Sequence, residues 1–109
     1  MRLVKVAQTS AIPPGSMIRV LVEGDEILVA NVDGTFYTLA ERCTHLRGHL
    51  SAGTLQDGIV TCPRHGSRFD VRTGQAVGNA QILFLKMRPP DTRSYPVKVE
   101  AQDVLVGLD

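Results

Sequence analysis

Residues 17–40, MIRVLVEGDEILVANVDGTFYTLA, hold three β-rich runs joined by two short turn signals. Met17 to Val22 and Glu26 to Asn31 alternate or cluster β-branched and aliphatic residues, and Glu23-Gly24-Asp25 between them reads as a compact hairpin turn. Asp33-Gly34 then leads into Thr35 to Leu39 and is the strongest two-residue hairpin signal in the chain. Upstream, Leu3, Val4 and Val6 alternate before a loop that Pro13-Pro14-Gly15 keeps irregular. The first 40 residues therefore read as an antiparallel meander. Downstream, β-pattern returns at Gln81 to Lys86, Tyr95 to Glu100 and Val104 to Leu108, with Arg88-Pro89-Pro90-Asp91 a loop. No helix, repeat or low-complexity stretch stands out. The expected fold is all-β, an antiparallel sandwich or barrel carrying a loop-rich insertion over about 41–74.

Composition narrows the possibilities. A chain of 109 residues suits one domain, and 43% apolar with 21% charged residues is too apolar for disorder. A net charge of +1 gives no reason to expect a nucleic-acid partner. No apolar run approaches the roughly 18–20 residues of a membrane span, the longest being stretches such as Ile27-Leu28-Val29-Ala30. The N-terminus alternates where a signal peptide would be continuously apolar, so a soluble cytoplasmic protein without a membrane partner is expected. Two cysteines, Cys43 and Cys62, allow at most one disulfide, too few for a stapled secreted scaffold.

Both cysteines lie in the insertion, each beside a histidine: Cys43-Thr44-His45 and Cys62-Pro63-Arg64-His65. Four soft or borderline ligands on two loops form a metal site on chemical grounds. Small buried cysteines or one disulfide would leave the paired histidines unexplained. Tetrahedral zinc is the serious rival, but such sites usually pair cysteine with cysteine and histidine with histidine. Mixed pairs suit a two-iron cluster in which two histidines replace two cysteines on one iron.

Residues 43–50, CTHLRGHL, and 62–70, CPRHGSRFD, resemble the two boxes of the Rieske iron–sulfur proteins, a C-x-H followed by a C-x-x-H. The soluble, low-potential branch, dioxygenase-ferredoxin-like or archaeal in type, is the nearest in pattern. The resemblance implies a single Rieske domain over 1–109 and one [2Fe–2S] cluster per chain. Cys43 and Cys62 would hold one iron, and His45 and His65 the other. Gly48 and Gly66 would let backbone N–H groups approach the cluster sulfurs, although both also serve as turn glycines. Ser67 would give a hydroxyl hydrogen bond. His49 is left over and reads as a solvated loop histidine.

Departures from the pattern matter as well. Membrane respiratory relatives carry a further cysteine in each box, where this chain has Gly48 and Arg64, and a tyrosine where it has Phe69. Fewer hydrogen bonds to sulfur lower the potential, so a value below the top of the family range is expected. The stretches 42–50 and 62–69 hold Arg42, Arg47, Arg64 and Arg68 and no acid, a basic tip suited to an acidic patch on a redox partner. The resemblance implies a one-electron carrier, not an enzyme, between a flavoprotein reductase and a terminal oxygenase or other reductase. The chain leaves no residues for a catalytic iron domain. A small subunit of an enzyme complex such as a nitrite reductase, or a zinc-stabilised module without redox activity, are the other readings.

Overall fold

The computed structural model describes residues 2–42, 48–63, 66–77, 80–82, 85–87 and 90–108, the pieces 80–82 and 85–87 by backbone alone. Among them, the strands are β1 (Arg2–Gln8), β2 (Met17–Val22), β3 (Asp25–Val32), β4 (Thr35–Ala40), β5 (Thr54–Gln56), β6 (Ile59–Thr61) and β7 (Arg68–Asp70). They continue with β8 (Ala80–Ile82), β9 (Leu85–Met87), β10 (Ser94–Tyr95), β11 (Val97–Glu100) and β12 (Asp103–Leu108). The described helical residues form only two single turns of 3-10 helix, Thr9–Ala11 and Leu50–Ala52.

Three hairpins share one device. Glu23-Gly24, Asp33-Gly34 and Asp57-Gly58 place an acidic residue at φ 50°, 53° and 53° before a glycine at 88°, 92° and 78°. Two successive positive φ values make a type I′ turn, whose twist matches that of the paired strands. These turns set the registers Val22↔Asp25, Val32↔Thr35 and Gln56↔Ile59. The result is a β10-β4-β3-β2 sheet and a separate β5-β6-β7 sheet.

Strand β1 does not join the expected meander. It pairs with β12 in a β1-β12-β11 sheet, with a register shift between Lys5 and Ala7. The connection from Thr9 to Ser16 is a 3-10 turn followed by the Pro13–Ser16 turn, not a hairpin turn that would hold β1 beside β2. The expected strand from Tyr95 to Glu100 is likewise two strands in two sheets. Tyr95 pairs with Thr38, Val97 pairs with Val106, and Pro96 lies at the corner without an N–H to extend either ladder. The expected run Gln81 to Lys86 belongs to a β8–β9 hairpin, Ile82↔Leu85, whose link has none of the usual turn residues.

Strand β3 is the structural pivot. Ile27, Leu28, Val29, Ala30 and Asn31 are all buried, so its sequence cannot alternate. Ile27 and Val29 face the sandwich core, with Val22, Tyr95, Val104, Val106 and Leu108. Leu28 and Ala30 face a second core made with Leu39, Leu50, Val60, Cys62, Phe69 and Val71. The first core joins the two large sheets, and the second seats the β5-β6-β7 unit on the opposite face. Each fully buried aliphatic side chain contributes about 1.5–3 kcal/mol of transfer free energy. Among the described residues no helix is long and apolar enough to cross a membrane.

Candidate metal centre

Two loops are anchored on the second core. The stem of the first is an antiparallel bridge between Arg42 and His49, reinforced by the Leu50 N–H donating to the Glu41 carbonyl at 2.9 Å. Gly48 is buried at the exit of this loop. The second loop links β6 to β7 and opens at the Thr61↔Arg68 pair. It closes on itself, with the Cys62 N–H donating to the Ser67 carbonyl at 2.7 Å and the Gly66 N–H to the Cys62 carbonyl at 3.2 Å. Gly66 has φ 75°, a left-handed conformation that glycine adopts without steric cost. Its turn function accounts for that N–H, which is engaged by the Cys62 carbonyl. The two stems share one floor, because Leu50 from the first and Cys62 from the second lie in the same apolar cluster.

Of the four expected ligands, Cys62 is buried and is a free cysteine. Cys43, His45 and His65 lie outside the described residues, as do Arg47 and Arg64. Ser67, 1% exposed, follows in the same loop, and its Oγ has no hydrogen-bond partner among the described residues. Phe69 is fully buried in the second core, so an apolar ring stands where respiratory relatives would offer a hydroxyl.

Charge around the first stem is organised by two acids that spacing did not single out. Glu26 on β3 accepts from Arg42 Nε at 2.9 Å and lies 3.8 Å from Arg19 Nε. The hydrogen bond from Arg42 holds the Glu26 carboxyl below the usual carboxylate range. Partial desolvation opposes this, and the charges of Arg42, Arg19 and His49 assist it. Arg42 is therefore ion-paired within the fold, which reduces its weight in a basic tip. Arg68 is exposed.

Glu41 is completely buried. Its Oε1 accepts from the Ser51 N–H at 3.1 Å, and its Oε2 accepts from the Ser51 hydroxyl at 2.7 Å and contacts His49 Nδ1 at 2.9 Å. His49, with its side chain 39% exposed, is thus partly solvated as expected but also paired with a buried acid. A desolvated carboxylate demands donors, and the imidazole supplies one by carrying its proton on Nδ1. In the sequence, Glu41 looks like any acid beside a polar loop; only its burial distinguishes it.

A match to the family described as the Rieske [2Fe-2S] domain spans residues 2–86. The chain belongs to the Rieske [2Fe–2S] family. This Rieske protein is 37% identical over 109 residues to the biphenyl 2,3-dioxygenase ferredoxin component of Rhodococcus jostii (strain RHA1), covering 100% of this chain and 95% of that one. Its fold matches the ferredoxin of carbazole 1,9a-dioxygenase from Nocardioides aromaticivorans IC177 with TM-score 0.87 and 29% identity, each chain covered completely. A further match, TM-score 0.80 and 31% identity over 95% of this chain and 91% of that one, is to a structure titled a complex of reduced oxygenase and oxidized ferredoxin in carbazole 1,9a-dioxygenase. The chain is accordingly a Rieske-type electron carrier and not itself a catalyst, and the family implies a [2Fe–2S] cluster.

The described residues suit that group. A buried hydroxyl without a partner costs about 1–3 kcal/mol, and the Ser67 Oγ in the Cys62 loop is such a donor. A cluster or thiolate sulfur beside Cys62 would supply its acceptor. The donor set of two thiolates and two imidazoles in the sequence is the one this cluster type takes.

Proposed function

We propose that the chain is a single Rieske domain over 1–109, with its cluster-binding insertion at about 41–74, holding one [2Fe–2S] cluster. In this reading Cys43 and Cys62 bind one iron and His45 and His65 the other. The protein accepts single electrons from a flavoprotein reductase and delivers them to a terminal oxygenase of an aromatic-ring dioxygenase system in the cytoplasm. The observation that carries the reading is the Cys62 loop. There a buried free cysteine shares an apolar floor with the stem of the Cys43–His45 loop, and the nearby Ser67 hydroxyl is buried without a partner among the described residues.

The cluster, once bound, supplies a one-electron couple. Cys43, His45, Cys62 and His65 would hold it, above the apolar floor to which Leu50, Val60, Cys62 and Phe69 belong. Arg47, Arg64 and Arg68 form the docking cations, with Arg42 partly neutralised by Glu26. The ferredoxin–oxygenase complex known for a relative 31% identical supports an oxygenase as the acceptor.

Electron paramagnetic resonance of the dithionite-reduced protein tests metal, nuclearity and histidine ligation together. A rhombic signal with an average g below the free-electron value, lost in Cys62→Ser, is the expected result. A colourless, silent protein carrying stoichiometric zinc would refute the reading.

A further inference from the structure

We propose that Glu41 is a positioning residue that clasps the first cluster loop and, through its buried charge, lowers the reduction potential. The inference rests on the function proposed above, and it concerns a side chain outside the ligand set. Three features of the structure converge on it.

The first is topological. Glu41 and Arg42 form one side of the stem, and His49, Leu50 and Ser51 form the other, so the segment whose sequence carries Cys43 and His45 begins and ends at this stem. Glu41 spans it with both backbone and side chain. Its carbonyl accepts from Leu50 N–H, while its carboxylate engages His49 Nδ1, Ser51 N–H and Ser51 Oγ. One residue thus ties the entry of the loop to three consecutive residues after its exit.

The second is energetic. Glu41 is completely shielded from water. A carboxylate in such a place persists only if hydrogen-bonded, and its donors then become obligatory. Three donors converge on two oxygens. The isosteric amide of a glutamine would place an NH2 against at least one of them. The stem is consequently rigid for the same reason that the buried charge is tolerated.

The third is electrostatic. Glu41 precedes Cys43 by two residues, which bounds their Cα separation at about 7 Å. Glu26 on β3, whose Oε2 lies 4.0 Å from His49 Nδ1, adds a second acid. Arg42 and Arg19 face Glu26, so among the described residues the imidazole of His49 is the potentially cationic partner of Glu41. A fixed negative charge beside the stem of the Cys43 loop would oppose the addition of an electron to a cluster held there.

The test uses the full-length protein and three variants: Glu41→Gln, Ser51→Ala and Glu26→Gln. The wild type must first show the reduced-cluster signal; if it does not, the functional reading itself has failed. With that signal in hand, Glu41→Gln is expected to lose cluster absorbance to a chelator roughly 10- to 100-fold faster than the wild type. Its midpoint potential should shift positive. Ser51→Ala keeps the charge but removes one donor, so it should bleach faster at an unchanged potential. Glu26→Gln should move the potential less than Glu41→Gln, because Arg42 and Arg19 already screen Glu26.

A readout without metal is hydrogen exchange in the apoprotein. The Leu50 and Ser51 amides should exchange at least tenfold faster in Glu41→Gln, while β2, β3 and β4 stay protected. If protection of those strands is lost as well, the variant has unfolded and Ser51→Ala alone decides. Unchanged bleaching in Ser51→Ala would then overturn the proposal. A folded Glu41→Gln with wild-type bleaching, or with an unmoved potential, would overturn it too.

Discussion

Replacing Ser67 by alanine separates the apoprotein from the loaded protein, because the two effects have opposite signs. Among the described residues the hydroxyl has no partner, so in an apoprotein the serine would carry a desolvation cost and return nothing. Removing it should leave the apoprotein at least as stable, with a gain of up to about 1 kcal/mol after allowance for the small void, against the 1–3 kcal/mol cost of an unpaired group. With a cluster bound, the hydroxyl donates to sulfur. That bond strengthens on reduction because the sulfur becomes more negative. The difference between a neutral and a charge-assisted hydrogen bond is about 1–1.5 kcal/mol. For a one-electron couple, 59 mV corresponds to a tenfold change, or about 1.4 kcal/mol, so Ser67→Ala should lower the midpoint potential by roughly 45–65 mV. Urea unfolding of the apoprotein and voltammetry of the loaded protein supply the two numbers. An apoprotein destabilised by more than about 1 kcal/mol, or a potential that stays put or rises, would refute the reasoning, since a buried hydroxyl left unpaired must cost and one paired to sulfur must favour the reduced state.

A Cβ at Gly53 would run into the Thr61 carbonyl oxygen and sit 3.0 Å from the carbonyl carbon and 3.2 Å from Pro63 Cδ. Gly53→Ala should therefore cost about 1–3 kcal/mol in urea unfolding and speed cluster loss, the damage falling next to Cys62. Glu26 has its carboxyl held below the ordinary range by Arg42, so it contributes stability above an unfolded value of about 4.3 and loses it as pH falls through the lower folded value. Thermal unfolding below about pH 4.3 should accordingly be less pH-dependent in Glu26→Gln than in the wild type. Charge reversal at Arg68 should reduce the ionic-strength dependence of electron transfer to the acceptor by more than neutralisation at Arg42, which is already ion-paired. Stopped-flow rates at several salt concentrations would contradict this if the Arg42 variant proved the more sensitive.

The family and two of the hairpins were legible because their information is local. The C-x-H and C-x-x-H spacings survive any uncertainty about how distant strands pair, and Glu23-Gly24 and Asp33-Gly34 announce hairpins within four residues. Asp57-Gly58 carries the same signal, but β5 is only three residues long and too short to show alternation. The rest depends on partners remote in the chain. Nothing near β1 indicates that it pairs with β12 about 100 residues away, and only the corner at Pro96 reveals why one β-rich run serves two sheets. The same holds for the ion pairs. Arg42 counts as a tip cation in composition, yet Glu26, 16 residues earlier, takes its guanidinium. His49 reads as an unpaired loop histidine until the burial of Glu41 is known.

The apolar run Ile27 to Ala30, too short to span a membrane, has its physical reason in the two cores that share β3. Adjacent residues on this strand report on different halves of the protein, and a matched pair of truncations should separate them. Leu28→Ala opens a cavity in the core beneath Cys62 and Leu50, whereas Val29→Ala opens one between the large sheets. Leucine truncation costs about 2–5 kcal/mol, and removing the smaller valine side chain should cost less. If the cores were energetically independent, Leu28→Ala would hasten cluster loss without changing unfolding of the sandwich. They share a backbone, however, and β3 hydrogen-bonds to both β2 and β4. Leu28→Ala should therefore lower the urea midpoint as well as the cluster half-life, while Val29→Ala lowers the midpoint and leaves the half-life near that of the wild type in native buffer. The asymmetry follows from position, because Leu50 and Cys62, one at each loop stem, belong to Leu28's core. Equal loss of cluster in the two variants would mean that the sandwich core also governs the loops, and the division of labour between the faces of β3 would have to be abandoned.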